Sequence, residues 1–165
     1  MSADSRNTDH KWPAKVLTIS DGVMSGHRDD ASGRALVAML DEKGFDVVEH
    51  RVTADGSDEV ARELGDMTRA FAGLVVSTGG TGFAPRDQSP EGARRVIDRE
   101  APGLAEAMRA VNPLGRLSRG VAGMTGSAIV ITLPGSPRGC VEQLEAIIDV
   151  LPHALALLNS EPTQH

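Results

Sequence analysis

Residues 74–87 read LVVSTGGTGFAPRD. The stretch opens as a short apolar run with the length and β-branched content of a strand buried on both faces. It then crowds three glycines, two threonines, a proline, an arginine and an aspartate into residues 78–87. A buried strand that runs directly into a glycine-rich loop is how open α/β proteins place a ligand loop beyond a strand's carboxyl end.

The same alternation extends in both directions. From Lys15, KVLTIS is an apolar run closed by the turn-prone SDG, and ASGRALVAMLDEKGF follows with apolar residues at Ala35, Leu36, Met39 and Leu40, the spacing of a helix. Gly44 stands where a helix C-terminal glycine is expected; FDVVEHRV is β-rich, and the next segment repeats the helical spacing at Val60, Leu64, Met67 and Phe71. After the glycine loop, SPEGARRVIDRE predicts a helix start with Ser89 as N-cap, Pro90 in the first turn and Glu91 at the positive helix end. A short helix is expected near residues 104–111, then glycine-punctuated loops through GVAGMTGS, then the buried strand of AIVITLPGSP. A final helix over residues 138–159 carries an apolar stripe through Val141, Leu144, Ile147, Ile148, Leu151 and Leu155, with a kink at Pro152. The expectation is an α/β three-layer sandwich with a mostly parallel sheet: a flexible arm at 1–14, one domain at 15–159 and a tail at 160–165.

Composition narrows the function. A chain of 165 residues with 40% hydrophobic and 24% charged residues is ordinary for one globular domain, whereas 18 glycines against three phenylalanines and one tryptophan favour shaped loops. The net charge of −6 lacks the basic stripe of a nucleic-acid binder. No apolar run reaches membrane-span length, the start is polar, and the single Cys140 permits no intrachain disulfide, so the chain reads as cytoplasmic.

Three unusual stretches fall at predicted strand ends: SDGVMSG, TGGTGFAPRD and LPGSP. Glycines there let successive amides converge on an anion. Two familiar phosphate loops are absent: Pro85 stands where a dinucleotide fingerprint needs its third glycine, and no G-K-[ST] occurs. Phosphate charge then falls to loop arginines, Arg86 first and Arg28, Arg119 or Arg138 besides, together with a metal. Magnesium suits such a site because it binds through one or two carboxylates plus substrate phosphates, and Asp87 is placed to supply one.

The run STGGTGFAPRDQSPEGARRVIDREAPGLAEAMR resembles the signature of the MoaB/Mog proteins of molybdenum cofactor biosynthesis, a family that includes the gephyrin G domain. ISDGVMSGHRDDASG resembles that family's first loop, LSRGVAGMTGSAIVITLPGSP its late loop and strand, and CVEQLEAIIDVLPHAL its last helix, so the likeness covers residues 15–158. A lone T-G-G-T-G is weak; its extension through P-R-D-x-[ST]-P-E is specific.

The resemblance implies a cytoplasmic homotrimer, or a hexamer of two trimers. It further implies that the protein binds molybdopterin, adenylates it with Mg-ATP and releases pyrophosphate, passing the product to a MoeA-type insertase. Carried over by position, Thr78, Gly79, Gly80, Thr81 and Gly82 correspond to the phosphate and nucleotide loop, with Arg86 beside it. Asp87 and Asp55 correspond to the catalytic, magnesium-binding acids, Ser20 and Asp21 to first-loop site residues, and Ser127, Pro134, Gly135 and Ser136 to the far wall. The chain departs from the family in having Ser136 where P-G-N-P carries asparagine, Met124-Thr125 where a basic residue precedes the late strand, and Ala54-Asp55-Gly56 for P-D-[ED]. Those departures leave open a pterin-binding or scaffolding protein with little activity; the shared loop also permits a nucleotide-pyrophosphate hydrolase of the competence-damage type. Asp87 has a plainer reading as an acid before a helix. Asp29 and Asp30 read as ordinary loop or helix-start acids, His50 as surface, and Cys140 as a small buried apolar residue.

Overall fold

The computed structural model describes residues 10–160. The chain runs β1 (Pro13–Ile19), α1 (Asp21–Met24), α2 (Ala31–Glu42), β2 (Asp46–Thr53), α3 (Ser57–Thr68) and β3 (Leu74–Thr78). After the glycine loop come α4 (Ser89–Arg94), β4 (Arg99–Glu100), α5 (Pro102–Ala110), a 3-10 turn (Pro113–Leu117), β5 (Ala122–Thr125) and β6 (Ala128–Leu133). The chain closes with α6 (Pro137–Glu145), a second 3-10 turn (Ile148–Val150) and α7 (Leu151–Leu158).

The six strands form one sheet in the order β2-β1-β3-β6-β5-β4. The pairs β1–β2, β1–β3 and β3–β6 are parallel, and β5 joins β6 and β4 antiparallel. Each residue of β3 and β6 is buried, as expected for central strands covered on both faces. On one face Val16, Val76, Ile129 and Ile131 pack with Leu36 and Leu40 of α2, Met108 of α5, Leu144 of α6 and Leu155 of α7. On the other, Leu17, Val75 and Val130 pack with Val60, Leu64 and Met67 of α3 and Ala93 of α4. Helices on both sides of a mostly parallel sheet are the three layers expected from the alternation of strand and helix patterns.

Four local expectations are corrected. β1 begins at Pro13 and Trp12 is buried, so residues 12–14 of the expected arm belong to the packed domain; residues 1–9 and 161–165 lie outside the described residues. Gln88 rather than Ser89 stands at the N-cap of α4, because the Ser89 hydroxyl is buried and donates to the Gly79 carbonyl at 2.7 Å. The GVAGMTGS loops contain β5, a four-residue strand whose ladder hydrogen bonds to β6 offset its poor intrinsic propensity. The last helix is two helices: α6 stops at Glu145, a 3-10 turn intervenes, and Pro152 sits in the first turn of α7, where its missing N–H costs nothing.

Candidate functional site

The chain leaves β1 toward one edge of the sheet and β3 toward the other, so the carboxyl ends of these neighbouring strands form the topological switch point at which open α/β sheets bind ligands. A cleft of about 1020 Å³ lies there, bordered by the loops after β1, β3 and β6. That volume is at the upper end for small-molecule sites, enough for two ligands side by side.

The glycine loop forms its floor. Gly79 has φ of 107° and Gly80 of 69°, conformations L side chains rarely adopt, and a Cβ on Gly79 would lie 2.1 Å from the Ile19 carbonyl oxygen. The Gly79 amide donates to Leu133 O at 3.0 Å and the Thr78 hydroxyl to Pro134 O at 2.6 Å, tying the loop to the end of β6. The amides of Gly80, Thr81 and Gly82 donate to no acceptor among the described residues. Three consecutive unpaired N–H groups in a cleft-lining loop are donors available to an anion.

Two carboxylates flank this floor. One Asp55 oxygen accepts from the Asp21 amide at 2.9 Å, while the other lies 3.4 Å from where a Gly80 Cβ would be. Asp87 Oδ2 accepts from the Ala84 amide at 2.9 Å and would be 2.8 Å from a Gly82 Cβ. Each carboxylate is thus fixed by one backbone amide and pressed against a glycine. Among the described residues no group of three or more His, Cys, Asp or Glu is gathered to cage a metal. Two oriented carboxylates beside unpaired backbone donors nevertheless fit magnesium, which takes most of its remaining ligands from substrate phosphate and water.

Asp21 and Arg86 do not line the cleft. Arg86 Nε and Nη2 donate to the two Asp21 oxygens at 2.6 and 3.0 Å, and Nη2 also reaches Asp55 O at 3.0 Å. The Asp55 amide in turn donates to Asp21 Oδ1 at 3.1 Å. This arginine hydrogen bond holds the Asp21 carboxyl below the usual carboxylate range. The pair joins the loops after β1, β2 and β3; Arg86, expected at the phosphate, is committed to that joint.

Ser20 lines the cleft and caps α1, accepting from the Val23 amide at 3.2 Å. Pro134, Gly135 and Ser136 form the far wall, where Ser136 Oγ caps α6 by accepting from the Gly139 amide at 3.0 Å. Asparagine at that position would cap equally well, so this departure preserves the local structure. Ser127 is not brought to the cleft. It sits in the β5–β6 turn, before the first residue of β6, whereas the cleft lies beyond that strand's last residue; its carbonyl accepts from Asn159 at 3.3 Å. The Met124-Thr125 departure lies on the same hairpin, away from the cleft.

Three features lay beyond the sequence reading. Arg119 donates from Nε to Gly82 O at 2.8 Å and from Nη2 to Asp87 O at 2.6 Å, pairs with Glu91, and holds that carboxyl below its usual range. Asp30 stands at a helix start, as one of its readings allowed, but it also engages Thr18 and His50, so His50 is not an isolated surface group. Asp30 caps α2 through the Gly33 amide and accepts from the Thr18 hydroxyl, with His50 Nε2 3.0 Å from both Asp30 Oδ2 and Thr18 Oγ1. Only the cap signature D-A-S-G was visible in the sequence; His50 arrives through the β1–β2 pairing. Val111, Leu114 and Leu117 supply an apolar wall from the segment after α5.

Unpaired backbone donors, two fixed carboxylates and an apolar wall thus meet in one cleft at the switch point of an open α/β sheet. The family model described as "probable molybdopterin binding domain" matches residues 15–153, and the chain belongs to the MoaB/Mog family of molybdenum cofactor biosynthesis proteins. A molybdopterin adenylyltransferase of Helicobacter pylori is 35% identical over 150 residues, covering 87% of this chain and 85% of that one. Gephyrin of Dictyostelium discoideum is 32% identical over 173 residues, 96% of this chain but 24% of the relative. The structure of MoaB from Thermus thermophilus superposes with a TM-score of 0.85 at 40% identity, covering 93% of this chain and 99% of that one. The Thermoplasma acidophilum protein CinA, at 21% identity and a TM-score of 0.67, shares the fold.

Proposed function

We infer that this protein is a molybdopterin adenylyltransferase acting in molybdenum cofactor biosynthesis. The observation that carries the reading is the row of unpaired amides at Gly80, Thr81 and Gly82, flanked by Asp55 and Asp87 in a cleft with room for two substrates. An oxygen of the pterin's phosphate attacks the α-phosphorus of ATP; the bond from that phosphorus to the oxygen bridging to the β-phosphate breaks, and pyrophosphate leaves with the bond's electrons. Both reactants are anions, so the protein's part is positioning and charge stabilisation.

Thr78 to Gly82 hold phosphate, Asp55 and Asp87 hold magnesium, and Ser20, Pro134, Gly135 and Ser136 shape the walls. Magnesium bound there neutralises phosphate charge. Asp21 and Arg86 act indirectly, by fixing the loop that carries Asp55. The protein works as a cytoplasmic homotrimer and passes its product to a MoeA-type insertase; a light-scattering mass of one chain would count against the trimer. Among the described residues no helix is long and apolar enough to cross a membrane.

The test is pyrophosphate release from Mg-ATP with and without molybdopterin. Release should require the pterin and fall on the order of 10²-fold or more in Asp87→Ala, with folding and pterin binding retained. Pterin binding without release would make the protein a scaffold, and hydrolysis of a dinucleotide without pterin would make it a hydrolase.

A further inference from the structure

We propose that Arg28, in the loop after β1, is the cleft's phosphate-binding cation; the inference rests on the adenylyltransferase reading. Among the described residues lining the cleft are five carboxylates, Asp29, Asp30, Asp55, Asp87 and Glu142, and two guanidiniums, Arg28 and Arg138. A polyphosphate substrate would meet a wall of its own sign, so the disposition of each charge decides what it can bind.

Most of these charges are already used. Arg138 Nε pairs with Glu142 at 2.8 Å, and Asp29 takes a two-pronged contact from Arg34 at 2.7 and 2.5 Å. Asp30 is engaged by Thr18, the Gly33 amide and His50. Of the remaining arginines expected near phosphate, Arg86 is bound to Asp21 and Arg119 to Glu91 and two loop carbonyls. Asp55 and Asp87, each held by a backbone amide alone, and Arg28 are left. Two carboxylates suited to magnesium share the cleft with one guanidinium that has no ion-pair or hydrogen-bond partner for its side chain among the described residues.

The local backbone supports the base of that side chain. The His27 and Arg28 amides both donate to Gly22 O, at 2.9 and 3.0 Å, closing a compact turn through Gly26 at φ of 82°. The point where a Gly22 Cβ would stand lies 3.3 Å from Arg28 Cβ, 3.7 Å from Arg28 Nε and 3.7 Å from Ser20 Oγ. The arginine therefore packs from Cβ to Nε against Gly22, whose other neighbour is the hydroxyl of the cleft-lining Ser20. A guanidinium there offers phosphate a planar fork of donors that an ammonium cannot reproduce.

The experiment measures equilibrium binding of Mg-ATP and, separately, of molybdopterin to the wild-type protein, Arg28→Ala, Arg28→Lys and Arg69→Ala. Arg69, the C-cap of α3, pairs with Asp66 in that helix's last turn and controls for loss of one positive charge. Arg28→Ala should weaken one of the two ligands by on the order of tenfold or more and flatten the salt dependence of that affinity. Arg28→Lys should recover the salt dependence but only part of the affinity. Loss confined to Mg-ATP places Arg28 on the nucleotide phosphates, and loss confined to molybdopterin places it on the pterin's phosphate. Affinities in Arg28→Ala matching those in Arg69→Ala for both ligands overturn the assignment. Wild-type protein that binds both ligands, one of them in an Arg28-dependent way, but releases no pyrophosphate sinks the adenylyltransferase reading alone.

Discussion

Replacing Arg119 by methionine tests whether a single side chain latches the glycine loop. Methionine keeps most of the alkyl packing and removes the guanidinium, with its bonds to Gly82 O at 2.8 Å and Asp87 O at 2.6 Å and its contact with Glu91. A hydrogen bond to a charged group contributes about 1.5–3 kcal/mol net when dry. Here the Arg119 side chain is 34% exposed and Glu91 45%, so about 1 kcal/mol for each carbonyl and about 0.5 kcal/mol for the ion pair is the discounted sum, roughly 2.5 kcal/mol. If the whole domain feels the loss, thermal unfolding should fall by about 5–10 °C, at roughly 2–4 °C per kcal/mol for a chain this long. Should the loop open while the rest stays folded, the same free energy shifts its closed population by a factor of about 70 and appears as a higher KM for Mg-ATP. The assays are a thermal melt and the steady-state rate of pyrophosphate release. A melting temperature within about 1 °C of the parent, with kcat and KM both within about twofold, refutes the latch. Glu91→Gln separates the parts: it should cost only about 0.5 kcal/mol, and a loss equal to that of Arg119→Met would place the latch in the ion pair instead of the carbonyl bonds.

Gly79→Ala should destabilise the fold by about 3 kcal/mol or more, since it combines a φ of 107° with a Cβ 2.1 Å from a backbone oxygen; a urea midpoint unchanged from the parent would contradict that geometry. Arg119 lowers the Glu91 carboxyl below its unfolded value, so this group's contribution to stability is complete above about pH 4.3 and lost as pH falls through the lower folded value. The stability gap between the parent and Glu91→Gln should therefore close in acid, and a gap that stays constant as pH falls until the parent unfolds would argue against the pairing.

The readable parts of this fold are those in which a local pattern and its tertiary role coincide. β3 and β6 are buried on both faces and read as continuous apolar runs, and α2 and α3 present their stripes at helical spacing. β5 escaped because its four residues include a glycine and its stability comes from pairing with β6, a partner the strand's own sequence does not announce. Ser127 was misplaced for a related reason. Its proximity in sequence to the LPGSP loop hides the length of β6, which carries the two to opposite ends of the sheet. The arginines were legible as a set but not individually: residue type says that a guanidinium can bind phosphate, while only the fold shows that Arg86 and Arg119 are committed to protein partners and Arg28 is not.

The length of the motif that identified the family follows from what its glycines accommodate. A Cβ on Gly79 would strike the end of β1 at Ile19 O; one on Gly80 would lie 2.3 Å from Ser89 Oγ; one on Gly82 would meet Asp87 Oδ2. Each glycine thus makes room for a different segment, and two of those segments, Asp87 and Ser89, belong to the same run of sequence eight to ten residues beyond Gly79. Ser89 returns the contact twice: its hydroxyl donates to Gly79 O at 2.7 Å and its amide to Gly80 O at 3.0 Å. The loop's conformation and the placement of the acid are consequently one constraint. Relaxing any of the glycines, Asp87 or Ser89 disturbs the others, which is why T-G-G-T-G alone is weak evidence and its extension through R-D-Q-S-P carries the specificity.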